Sequence, residues 1–265
     1  MKKIIFIILY ISISASVWAQ TSGEIPIPLS DPAKRAVLKT EIKRGSITIK
    51  GTGRKDILVK YETFESQKKA ASSKDGLTRI SGGTTDLEAS ENNNIVKVES
   101  NSWNNKINLT IEVPSGIDLK VSGYNGGDVV VDNIQGEVEI ENYNGEITAT
   151  NISGTVIAST YNGDIVITYA KLTPNTPLSY STYNGDIDLT FPADSKLSLK
   201  MKSERGDVYT DFDVNLQKSG PVKKTESKSG TYKVIIDEWV RGDINGGGPE
   251  VMMKNYNGDL KIRKK

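Results

Sequence analysis

The sequence predicts an all-β fold, a parallel β-solenoid (β-helix-like) with coils of ~18–22 residues. Three observations carry that reading. Apolar and polar residues alternate in short bursts, as in "ITIKG", "ILVKYE", "IVKVES" and "INLTIEV", which is the period of half-buried strands. One phrase recurs: "YNGEI" at 143–147, "YNGDI" at 161–165 and 183–187, "YNGDL" at 256–260, with "YNGGDV" at 124–129. The glycines that open successive strands are evenly placed. Gly127, Gly136, Gly145, Gly154 and Gly163 lie nine residues apart, and Gly185 and Gly206 follow after 22 and 21.

Two kinds of strand opening alternate. Tyr-Asn precedes Gly145 and Gly163, whereas Ile-Gln and Ile-Ser precede Gly136 and Gly154. One full unit is therefore about 18 residues, two strands with two different corners. Positions two and four after each glycine share one face of a strand. They hold Val138/Ile140, Ile147/Ala149, Val156/Ala158, Ile165/Ile167, Ile187/Leu189 and Leu260/Ile262, and that face is expected inside. The acidic residue directly after the glycine is expected outside. Asn-Gly supplies residues that tolerate positive φ, which a sharp turn needs. It is also a strong hairpin signal, so the competing architecture is an antiparallel β-meander or barrel. The solenoid is favoured because only alternate turns carry Asn-Gly. Full units also resemble one another more than adjacent halves do.

In chain order, residues 1–19 read as a signal peptide. A basic "MKK" precedes an apolar run too short for a comfortable bilayer span, and Val17 and Ala19 are small residues before a cleavage point. Residues 20–36, with three prolines, read as an extended linker. Residues 37–265 read as the β-strand-repeat solenoid domain. "FESQKKAASSKDG" at 64–76 is the one stretch with the makings of a helical turn or two. A coarser echo links 111–131 with 189–210: strand, Pro, polar turn, strand, Gly-Asp, strand.

Composition narrows the function. Loss of Lys2 and Lys3 leaves 32 basic against 33 acidic residues, so no nucleic-acid partner is expected. No cysteine is present, so lipid attachment at a cysteine after cleavage is excluded. No second apolar run is long enough to span a membrane. The absence of histidine removes Ser-His-Asp and Cys-His catalysis and most zinc chemistry. No catalytic residue, metal or cofactor is expected.

The candidate binding residues are those of the repeated corner. Stacked coils would align Tyr124, Tyr143, Tyr161, Tyr183 and Tyr256 in a column beside Asn144, Asn162, Asn184 and Asn257. Such a column either serves stacking alone or offers rings and amides to a glycan or a surface protein. A second column, Asp128, Glu146, Asp164, Asp186, Asp207 and Asp259, reads as a solvated outward face rather than a calcium site.

The strings "INGGGPEVMMKNYNGDLKIRK" (244–264) and "IEVPSGIDLKVSGYNGGDVVV" (111–131), with the recurring "NGDI", resemble the bacterial β-strand-repeat family named "putative adhesin". They are related in style to the head domains of autotransporter adhesins. The resemblance covers most of 37–265 and implies an exported, solenoid-like domain with no catalytic residues to carry over. The expected function is that of an exported, non-catalytic adhesin or envelope binding module, in the periplasm, at the cell surface or outside the cell. The alternatives are a periplasmic accessory protein of an envelope-sensing system and a polysaccharide-acting β-helix enzyme.

Overall fold

The computed structural model describes residues 20–64, 86–173, 176–217, 222–228, 231–237 and 239–265. The signal peptide expected at 1–19, and the helical turns expected at 64–76 beyond Phe64, lie outside the described residues.

Every described element is a strand. Strand β1 (Gln20–Ile27) is followed by a coil made of β2 (Val37–Arg44) and β3 (Ile47–Thr52). Next come β4 (Ile57–Phe64), β5 (Leu87–Asn92), β6 (Ile95–Ser100) and β7 (Lys106–Pro114). Four two-strand coils then run in succession. They are β8 (Asp118–Asn125) with β9 (Val129–Asp132), β10 (Val138–Asn144) with β11 (Ile147–Ile152), β12 (Val156–Asn162) with β13 (Ile165–Tyr169), and β14 (Leu178–Asn184) with β15 (Ile187–Phe191). A fifth consists of β16 (Leu197–Arg205) and β17 (Val208–Thr210). After β18 (Val214–Leu216), β19 (Val222–Lys228) and β20 (Thr231–Asp237) form a separate antiparallel pair. The chain ends with β21 (Val240–Ile244), β22 (Glu250–Asn257) and β23 (Leu260–Lys264).

The first strand of each coil lies in one sheet and the second in another. Like strands stack in parallel and in register. Val138 sits opposite Val156, and Ile147 opposite Ile165, each pair 18 residues apart. Both sheets are open, and antiparallel pairs occur at their ends, as between β1 and β4 or β16 and β21. The architecture is the solenoid; among the described residues the two sheets form neither a meander nor a closed barrel.

Burial follows the two-residue period. All twelve side chains expected inside, from Val138 and Ile140 to Leu260 and Ile262, are buried. They meet between the sheets in one continuous core that runs from Ile27 to Ile262. No single coil could bury its apolar face alone, so each depends on its neighbours.

The order of coils in space differs from their order in sequence. The last coil, β22–β23, lies between β14–β15 and β16–β17. At the other end, β2–β3 lies between β6–β7 and β8–β9. The physical reason is visible at the corners. The last coil carries the full "NYNGD" phrase and joins the ladder at Tyr183-Asn184. The earlier β16–β17 coil reads "SERGD" and is the last of the parallel coils on that side, with β16 pairing antiparallel to β21 beyond it. Insertion stacks like on like.

Residues 20–27, expected as linker, are extended but are a strand of the fold. Strand β1 pairs antiparallel with β4 along its whole length, and Ile27 and Leu29 are buried. Proline at position 26 did not prevent this, because β1 is an edge strand, where a missing N–H can be tolerated.

Because Ile165 is fully buried between the sheets, Ile165→Asp places an unpaired charge in the core of a stack whose coils support one another. The expected loss is about 4 kcal/mol or more, read as a fall in denaturant midpoint. An unchanged midpoint would contradict the stacked core.

Candidate functional site

The repeated corner joins the two sheets at the same level in successive coils. Of Asn and Gly, only the glycine makes the bend. Gly145, Gly163, Gly185 and Gly258 hold φ of 142°, 152°, 149° and 120°, whereas Asn144, Asn162, Asn184 and Asn257 stay in the strand ladder. Space adds a second reason for glycine. A Cβ on Gly163 would collide with the Gly145 carbonyl, and one on Gly145 with the Gly127 carbonyl. Asparagine makes bends at other corners, where Asn133 and Asn151 take φ of 59° and 55°.

The asparagines and tyrosines of the phrase each meet their copies in the neighbouring coils. Asn162 Nδ2 donates to Asn144 Oδ1 at 2.8 Å, Asn184 to Asn162 at 2.7 Å, and Asn257 to Asn184 at 2.6 Å. The tyrosine rings of 124, 143, 161, 183 and 256 stack with centroids 4.8–5.1 Å apart and planes within 8°. All the sequence-predicted site residues thus come together on one edge of the molecule.

Two further ladders were not foreseen. The residue before four of the five tyrosines donates inward to the glycine carbonyl of the neighbouring coil. Asn142 reaches Gly127, Thr160 reaches Gly145, Thr182 reaches Gly163 and Asn255 reaches Gly185, at 3.0–3.2 Å. The signal was present as Asn or Thr before each of these four "YNG" copies. The acidic column is more than a wet face. The carboxylates of Asp128, Asp164, Asp186 and Asp259 each accept a backbone N–H from the next coil, at 2.8–3.0 Å. Glu146 instead accepts from Thr148 in its own coil. Among the described residues no three His, Cys, Asp or Glu converge on one point, so the acids form a line rather than a cluster.

The tyrosine column is capped at both ends by residues outside the repeat. The Arg205 guanidinium lies 5.2 Å from the Tyr256 ring centroid, within cation–π range. At the other end, Trp103 meets Tyr124 at 4.8 Å with the planes 82° apart. Arg205 stands directly before the strand-opening Gly206, whereas no periodic signal marks Trp103.

The column borders a groove of about 580 Å³ on the outer face of the larger sheet. Tyr124, Tyr143 and Tyr161 flank it, and Glu41, Ser122, Glu141 and Ser159 form a row along it. Neighbours cover both faces of Tyr143, Tyr161 and Tyr183. Yet Tyr161 is 42% exposed, so it shows solvent its ring edge, not a face. The surface can therefore offer ring edges, hydroxyls and carboxylates at the ~4.8 Å strand spacing.

One ion pair tunes the edge. Lys261, then the Asp259 N–H, hold the Asp186 carboxyl below the usual carboxylate range. A carboxyl with a depressed folded pKa stabilises above its unfolded pKa, and that contribution is lost as pH falls through the folded value. Asp186→Asn should therefore lower stability near neutral pH and flatten the acid-side decline, measured by denaturation across pH. Asn162→Ala removes two amide bonds and should cost about 1–3 kcal/mol; an effect no larger than that of an exposed strand position would show the ladder to be passive.

The Toastrack (DUF4097) family model matches residues 118–245. The match leaves out β22 and β23, which are inserted among the coils it covers. No curated protein matches the chain. A crystal structure of a "putative cell adhesion protein" from Clostridium sporogenes aligns over 92% of this chain and all of that one, with TM-score 0.54 and 11% identity. A "putative adhesin" from Bacteroides fragilis aligns over 92% of this chain and 97% of that one, with TM-score 0.29 and 12% identity. The first likeness is one of fold. The matched stretch, just under half of the chain, is similar to the Toastrack (DUF4097) family, in agreement with its stacked coils.

Proposed function

We propose that the protein is an exported, non-catalytic binding module of the cell envelope. Its ligand is a glycan or a surface protein held along the outer face of the larger sheet. The observation that carries this reading is the groove beside the tyrosine column. The stacking ladders fix polar groups along it at a constant spacing. A rigid, repeating row suits a repeating or extended partner, because little side-chain order is lost on binding. The basic and apolar N-terminal segment supports export. The fold likeness to a "putative cell adhesion protein" agrees with a binding rather than a catalytic role.

The test is a binding screen of residues 20–265 against glycans and matrix proteins. Ser159→Arg would fill the groove from an outward position, leaving the core intact. The expected result is binding by the wild type and a loss of about tenfold or more in the variant. Absence of binding to either class, or equal binding by the variant, would contradict the proposal.

A further inference from the structure

Resting on that reading, we infer that Trp103 is a sugar-stacking platform, and that the groove takes the end of a carbohydrate chain. Carbohydrate recognition needs two things: an aromatic face for the C–H surface of a sugar ring, and polar groups for its hydroxyls. The tyrosine column supplies only the second. Its rings are flanked by a neighbouring tyrosine on each side, except that Trp103 meets Tyr124 edge to face and the Arg205 guanidinium lies over Tyr256.

Trp103 is the exception. Its plane is turned 82° from that of Tyr124, so its faces look across the column instead of along it. It is 53% exposed, the largest aromatic side chain left open beside the groove. Lys43 Nζ lies over one face of the ring, 6.0 Å from its centroid, which leaves the opposite face to a sugar, and both Lys43 and Tyr124 line the groove. Trp103 therefore stands at one end of the polar row formed by Glu41, Ser122, Glu141 and Ser159.

The row is matched to a polyol. Glu41 lies opposite Ser122, Ser122 opposite Glu141, and Glu141 opposite Ser159, one strand spacing at each step. Carboxylates accept and serines both donate and accept, which is the mixture that sugar hydroxyls require. A protein partner would instead call for a desolvated apolar anchor at the centre of the patch. Here the centre is hydroxyl and carboxylate. The ring face lies at one end, which favours a chain terminus.

Fluorescence reads this directly. In residues 20–265 the tryptophans are Trp103 and Trp239; Trp239→Phe leaves Trp103 as the sole reporter. The probe is a panel of neutral and amino-sugar oligosaccharides, titrated with emission recorded. The expected result is saturable change in Trp103 emission, a loss of about tenfold or more in Trp103→Ala, and partial recovery in Trp103→Phe. The melting midpoint of each variant should match the wild type, since Trp103 is exposed. Three results would overturn the inference. One is oligosaccharide binding that Trp103→Ala leaves intact while Ser159→Arg abolishes it, which spares the proposed function. Another is binding of a matrix protein with no oligosaccharide bound, which also spares it. The third is binding of neither class, which removes both.

Discussion

The close approach of one glycine to the next sets the geometry of the whole molecule. At the corners opened by Gly145, Gly163, Gly185 and Gly258 the chain turns with positive φ while passing over the glycine carbonyl of the coil below. Only a residue without a Cβ can do both. Once the corners are nested in this way, the strands on either side fall into parallel register. The flanking Asn, Tyr, Asp and Thr or Asn then face their own copies at the strand spacing. Amide ladders and stacked aromatic rings are the interactions that such in-register stacking rewards. A recurring phrase in this chain is therefore a list of contacts, one ladder for each residue.

The same constraint explains the order of coils. A coil lacking the tyrosine or the asparagine cannot extend the ladders, but it can end them. The coils reading "SERGD" and "IKRGS" place Arg205 and Arg44 opposite Asn257 and Asn125. Arg205 caps the ring column, and the Arg44 guanidinium reaches the Asn104 carbonyl near the other end. The ladders stop at these arginine corners while the larger sheet continues past them, β16 pairing with β21 and β2 with β6.

Much of this was legible before any coordinates. The interior residues, the two-corner coil and the alignment of the tyrosines all follow from nine-residue glycine spacing and two-residue alternation. Three things were not legible. Spatial insertion of β2–β3 and β22–β23 leaves no trace in local periodicity, since a parallel coil can dock on either neighbour. Strand β1 is a partner of β4 chosen by tertiary pairing, and its proline, with two more shortly after it, argues locally for a linker. The orientation of the rings decides what the column can bind, and sequence shows only that tyrosines align. Stacking that holds the column together also hides the ring faces, and this moves attention from Tyr161 to Trp103.

The central claim is that the corner glycines are required by backbone nesting rather than by turn flexibility alone. Equilibrium denaturation of Gly163→Ala beside Gly126→Ala tests it most directly. Gly126 also turns with positive φ, 87°, but a Cβ there would meet nothing within 4 Å. The account predicts a loss of about 3 kcal/mol or more for Gly163→Ala and of only about 1–2 kcal/mol, the cost of a left-handed alanine, for Gly126→Ala. Equal losses at the two positions would contradict it.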